Sequence, residues 1–135
     1  NGEKFSGVTL HKIDDGIDTG AIIDQLKFNI YRNTNAFKNY NNLMKNSLKL
    51  LKKNFKKLLI GKYKTRKQIL KKGSYYSRSS VNYSKMKYFK LKKINLKNFN
   101  KIKAFIFPPM QLPILNDKKV LDIRFYKNNI KIIYD

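Results

Sequence analysis

The chain contains no cysteine and no tryptophan. Without thiols it has neither a disulfide framework nor a thiolate metal site, which accords with a cytoplasmic setting. Its single histidine, His11, leaves no imidazole cluster to bind a metal. Carboxylates are scarce: 8 Asp and Glu stand against 31 Lys and Arg, for a formal charge of +23. Not one acidic residue lies between Gln25 and Asn116. No apolar run approaches the ~20 residues that cross a bilayer, and no signal peptide is visible, so a membrane partner is not expected. The only prolines are Pro108, Pro109 and Pro113, in one short stretch where they forbid a continuing helix.

What remains is enough for one domain with a modest core: 135 residues, 41% of them hydrophobic. The positive field would attract phosphates, nucleic acid or anionic lipid. Its carriers are mostly lysines, however, with Arg32, Arg66, Arg78 and Arg124 the only arginines. Lysine is a solvated point charge and lacks the bidentate fork of arginine. Together with abundant Asn and Ile, this composition fits an AT-rich coding bias and a mainly solvated surface. An anionic-substrate funnel and a dedicated nucleic-acid binder are the alternatives.

Periodicity predicts strands over Phe5–Ile13 and Ala21–Tyr31, the second with Leu26, Phe28 and Ile30 alternating toward one buried face. A long helix follows, with Thr34 as its N-cap. Its apolar stripe runs through Phe37, Tyr40, Met44, Leu48, Leu51, Phe55 and Leu58, and Gly61 is its C′ residue. The stripe is read as a core-covering face. A short helix is expected over Asn98–Phe107. Two strands, Val120–Tyr126 and Ile130–Tyr134, then turn at Asn128-Asn129.

The densest chemistry lies at residues 7–25. This block holds His11 and four of the eight carboxylates, Asp14, Asp15, Asp18 and Asp24, in and around a loop with Gly16 and Gly20 between two apolar strands. The loop is too long for a minimal hairpin turn. Such a loop fixes polar groups well. On residues alone, a paired-carboxylate hydrolase or a carboxylate metal site can be drawn from Asp14, Asp15 and Asp18.

Gly7 to Ile23 reads Gly-Val-Thr-Leu-His-Lys-Ile-Asp-Asp-Gly-Ile-Asp-Thr-Gly-Ala-Ile-Ile. It resembles, without gaps, the signature of formyltransferases that use 10-formyltetrahydrofolate. The resemblance implies that Asp18 is catalytic and that Ile13, Asp14, Asp15 and Gly16 border the folate. His11 matches a recurrent histidine of the family, assigned here to the substrate side and not to the catalytic set. A second likeness lies in Tyr75, Tyr76 and Arg78 and in the run Ile102–Pro113, which resembles the nucleotide-sugar N-formyltransferases of the dTDP-4-amino-4,6-dideoxyhexose type. It implies substrate contacts at Tyr75, Tyr76, Arg78, Lys103, Phe105, Phe107 and Gln111. Lys103 stands where that subgroup more often has Arg, so a bidentate phosphate contact is lost there. The bland reading of Phe105 and Phe107 is core packing.

The implied fold is α/β. Residues 1–62 would be the C-terminal part of a Rossmann-like formyltransferase domain, a β-hairpin plus a long helix. Residues 63–135 would be a small α+β subdomain ending in a β-hairpin. The family's upstream Asn-x-His element has no counterpart, because Thr9 and Leu10 precede His11 and the chain opens on Asn1. The expectation is therefore a fragment, inactive alone, whose partners are a nucleotide-sugar substrate and the missing N-terminal half. A second copy is a further candidate partner, and no metal is called for. By the same resemblance the setting would be lipopolysaccharide or O-antigen assembly. A methionyl-tRNA formyltransferase-like enzyme and a basic RNA-binding module are the competing functions.

Overall fold

The structure, a computed structural model, describes residues 2–69, 77, 79 and 82–135. It is a mixed α/β chain whose contacts form two units: residues 5–29 with 41–75, and residues 1–4 and 30–40 with 76–135.

In the first unit, β1 (Phe5–His11) and β2 (Ile22–Asn29) form an antiparallel two-stranded sheet. Leu26 and Phe28 turn to the half-buried side while Gln25, Lys27 and Asn29 face out, the alternation expected of a strand with one covered face. The other edge of β2 is met at its start by Arg66, whose N–H and C=O both pair with Ile22, at 2.9 and 2.8 Å.

Helix α1 (Ala36–Leu59) gives its first residues to the second unit and the rest to the first. Its cap is Asn35 and not Thr34. The Asn35 Oδ1 accepts from the Lys38 N–H at 2.9 Å, while the Thr34 N–H is donated to the Tyr31 carbonyl. Asn is at least as good a cap as Thr, so a one-residue shift in register decides between them. The far end matches expectation. Gly61 takes φ 66°, its N–H bonds the Leu58 carbonyl, and the Lys62 N–H bonds that of Lys57, a Schellman closure. The apolar stripe is a correction. Tyr40, Met44, Leu48, Leu51 and Phe55 are exposed, and Phe37 and Leu58 are half-buried; the buried residues of α1 are Leu50 and Asn54. Periodicity shows that a face is apolar and not what covers it.

Asn54 donates to Asp24 on β2 at 2.9 Å and to the Leu50 carbonyl at 2.9 Å, which satisfies a buried amide. The Lys53 ammonium also reaches Asp24 at 2.9 Å.

The second unit holds the main core. After α2 (Tyr83–Met86), β3 (Tyr88–Phe89) lies parallel to β4 (Ile114–Leu115). Then β5 (Lys118–Tyr126) and β6 (Asn129–Tyr134) extend the sheet antiparallel, in the order β3-β4-β5-β6. Helix α3 (Leu96–Ala104), two residues earlier than expected and capped by Asn95, packs on it. Phe99, Ile102, Ile106, Leu115, Val120 and Ile123 form the buried cluster. The β5–β6 turn is Lys127-Asn128, not Asn128-Asn129. Both residues have positive φ, 43° and 65°, because a two-residue turn that follows the strand twist demands it. Asn116-Asp117, at 47° and 66°, turns β4 into β5 in the same way. Around the prolines, Phe107 and Gln111 bond each other's backbone at 3.0 and 2.8 Å.

The Lys53 and Asn54 hydrogen bonds outweigh the opposing effect of burial and lower the Asp24 carboxyl from 3.8 to about 2. A depressed folded-state value stabilises the fold above the ordinary value. That contribution disappears as the pH falls through about 2. Asp24→Asn should therefore cost about 1–2 kcal/mol at pH 7. Thermal melts should show the variant and parent converging toward pH 2, and an equal difference at both pH values would refute the tie.

Candidate active site

The acidic loop spans residues 12–21 between β1 and β2. Its base is closed by the Lys12 N–H on the Ala21 carbonyl, at 3.0 Å. Just before it the register slips: Leu10 faces Asp24 but His11 faces Ile22. The extra residue, Ile23, makes a bulge, and bulges re-aim the side chains beside them. Here the imidazole is turned toward the loop.

Inside the loop, Asp14 Oδ1 accepts from the Gly16 N–H at 3.2 Å and from the Thr19 hydroxyl at 2.6 Å. Asp14 is thus a turn-former. Asp15 makes no polar contact among the described residues. Asp18 takes a left-handed backbone, φ 55°, and its side chain is 87% exposed. Its Oδ1 lies 3.6 Å from His11 Nε2. His11 Nδ1 sits 2.8 Å from the Lys12 carbonyl, which can only accept. The proton of a neutral ring therefore rests on Nδ1, and the Asp18 contact becomes an ion pair only when the ring holds both protons. Ile13 and Ile17 stand out from the loop, 96% and 78% exposed. Exposed apolar side chains in a loop that also presents a carboxylate beside a histidine offer a ligand both apolar surface and a group that can exchange a proton.

Two features of this loop had no sequence signal. Gln68, fifty residues from Asp18, donates through Nε2 to the carbonyls of Asp18 and Gly20, at 2.8 and 2.6 Å. Arg66 brings that segment onto β2 and bonds the Gln25 side chain. Both are long-range pairings, which local pattern does not encode.

The remaining expected residues lie in the second unit or outside the described chain. Tyr75, Tyr76 and Arg78 fall outside the described residues. Phe105 is 8% exposed and packs edge-on against Tyr83 and Phe89, with ring centroids 6.2 and 6.1 Å away. Phe107 meets Phe37 and Tyr40 edge-on, each at 5.4 Å. Phe107 and Gln111 also line an open cleft of about 570 Å³ with Ala36, Tyr83, Ala104 and Met110. The Lys103 ammonium donates to the Arg32 carbonyl at 2.9 Å; burial, then the Arg32 charge, lowers its pKa. Among the described residues no group of three or more His, Cys, Asp or Glu could hold a metal ion. No described helix is long and apolar enough to cross a membrane.

Gly20 is packed where a Cβ would run into the Lys12 carbonyl. Gly20→Ala should open the loop base and cost about 2–4 kcal/mol. Chemical denaturation would measure this, and an unchanged midpoint would show that the loop closes in another way.

No sequence-family profile and no curated protein matches the chain. Solved structures do. The sugar 3N-formyltransferase WlaRD, crystallised with dTDP and 5-N-formyl-THF, is 41% identical over 93% of this chain and 45% of its own, with a TM-score of 0.83. The N-formyltransferase of Helicobacter canadensis, in complex with folinic acid and dTDP-3-aminofucose, is 34% identical over 98% of this chain and 53% of its own, at 0.82. A 4-N formyltransferase from Francisella tularensis shares the fold at 24% identity and 0.65, over 93% of this chain and 48% of its own. By sequence and fold the chain is similar to sugar N-formyltransferases, of whose length it spans about half.

Proposed function

We propose that this chain is part of an enzyme that transfers a formyl group from 10-formyltetrahydrofolate to the amine of a nucleotide-linked amino sugar. The observation that carries the reading is the loop of residues 12–21, with Asp18 beside His11 and Ile13 and Ile17 exposed, in a chain whose relatives were crystallised with a formyl-folate and a dTDP ligand. Both relatives above 30% identity point to a 3-amino sugar on dTDP, so that is the first acceptor to offer, ahead of the 4-amino type.

The residues fit a pterin. Ile13 and Ile17 offer apolar surface, and the backbone of Asp14–Gly16 with the Asp15 carboxylate offers polar partners for ring nitrogens. When bound, the folate supplies the formyl group. Asp18 takes up or relays the proton that the attacking amine gives up, directly or through one ordered water. When its ring carries both protons, His11 pairs with the Asp18 carboxylate from one side. Its Nδ1 is committed to the Lys12 carbonyl, so the donors that stabilise developing negative charge come from other groups. An Asn and a His on further polypeptide are the proposed source. The exposed α1 stripe supports such a partner, since about half a relative's length has no counterpart in this chain. The division into a catalytic-domain portion, residues 1–62, and a small subdomain, residues 63–135, is part of the same reading. So is a base-binding role for Tyr76 and for the Phe107–Gln111 cleft.

Purified chain given 10-formyltetrahydrofolate and dTDP-3-aminosugar should show no turnover above blank. With the complementary half supplied, Asp18→Asn should reduce kcat by about two to four orders of magnitude and leave KM little changed. A loss confined to KM would move Asp18 from chemistry to binding.

Nucleotide-sugar binding by the completed enzyme should weaken with salt along a logarithmic slope of about two to three, near the charge of one diphosphate. Calorimetric titration at several salt concentrations measures it. A steep slope with tRNA and no response to the sugar nucleotide would favour the tRNA enzyme.

A further inference from the structure

We propose that Gln68 is a positioning residue for Asp18, acting as a clamp across the Asp18-Thr19-Gly20 turn. This rests on the reading of Asp18 as the working carboxylate. The Gln68 amide has two N–H groups. Its Nε2 reaches the Asp18 carbonyl at 2.8 Å and the Gly20 carbonyl at 2.6 Å, one on each side of Thr19. No other donor among the described residues reaches either oxygen. The two bonds fix the peptide planes after residues 18 and 20, and with them the direction in which the Asp18 side chain leaves the backbone.

The turn needs such a hold. Asp18 sits at φ 55°, in the left-handed region that favours glycine and that Asp enters more readily than most residues but still against its preference. An exposed loop under that strain relaxes unless its surroundings over-determine it. The clamp is itself referenced to the sheet. Two residues before Gln68, both backbone groups of Arg66 pair with Ile22, the first residue of β2 and the second after Gly20. The Arg66 side chain bonds Gln25 further along the same strand. Segment 66–68 thus carries the position of β2 onto the far side of the loop. Gly20 is pressed against the Lys12 carbonyl from the inside. The Asp-Thr-Gly turn is therefore held from two sides, by the β1 end within the loop and by the Gln68 amide from outside it.

Three substitutions separate the clamp from mere bulk. Gln68→Glu keeps the shape, but an ionised carboxylate cannot donate. Gln68→Met keeps the length and has no donor. Gln68→Lys keeps a donor of similar reach. In the completed enzyme, with this chain isotope-labelled and at neutral pH, the amides of Lys12 and Gly16 should exchange with solvent about tenfold faster in the first two variants. Gln68→Lys should restore them to within about threefold. The amides of Ile22 and Arg66 should keep the parent rate in all three, since the strap itself is intact. Unchanged exchange at Lys12 and Gly16 would overturn the proposal. So would equal acceleration at Ile22 and Arg66, or failure of both donor-free variants to fold, because Gln68 would then support the whole unit and not the turn. Affinity for 5-formyltetrahydrofolate, measured by calorimetry, should follow the same order and drop about tenfold without the donor. If no variant and not the parent binds folate while the exchange pattern holds, the clamp stands and the folate reading falls.

Discussion

Eight carboxylates serve thirty-one basic side chains, and two of them hold α1 in place. That helix contains no acidic residue. Near its start, Lys38 meets Asp122 on β5 at 3.4 Å; late in its course, Lys53 meets Asp24 on β2 at 2.9 Å. Each anion is shared. Asp122 also takes the Arg124 guanidinium at 3.0 Å and the Asn35 amide at 3.4 Å; Asp24 also takes Asn54. Burial pulls the Asp122 pKa upward. The Arg124 hydrogen bond, the Lys38 charge and the Ile123 N–H pull it down further, so the group stays ionised. Exposed pairs of this kind are worth little. These are partly buried carboxylates with several donors, where removing the anion leaves a cluster of cations and an amide without partners.

Two further acids belong to the loop between β1 and β2 and act locally. Asp14 folds the loop through Gly16 and Thr19, and Asp18 is displayed at its tip. A loop that carries chemistry must be both exposed and stiff, and these demands conflict unless the stiffness comes from backbone partners. Here it comes from the bulge at Ile23, the Lys12–Ala21 closure and the Gln68 amide. None of these covers the Asp18 carboxylate, which is why a fixed side chain can remain open to solvent.

The parts of this arrangement legible in the sequence are those written locally. Strand alternation at Leu26 and Phe28, the left-handed cap at Gly61 and the final pair of strands all follow from nearest neighbours. The cap at Asn35 and the turn at Lys127-Asn128 were misplaced by one residue, because adjacent Asn and Thr, or successive Asn, satisfy the same local rule. The signature from Gly7 to Ile23 pointed to the formyltransferases that the solved relatives represent. What it could not contain was the bracing from Arg66 and Gln68. Nor could periodicity tell Phe105, sealed against Tyr83 and Phe89, from a ring free to stack on a ligand.

The two units differ most in how they are held together. The second has a core of Phe99, Ile102, Phe105, Ile106, Leu115, Val120 and Ile123, enough to fix a sheet on a helix. Among the described residues of the first, the buried hydrophobic ones are Ile22 and Leu50. Yet this is the unit that carries Asp18. Further apolar surface is present on the α1 stripe and faces outward. An apolar surface laid on that stripe would add to the burial that holds the unit. The helix it would cover is the one from which Lys53 and Asn54 hold Asp24 on β2, so covering α1 would also steady the strand that follows the acidic loop.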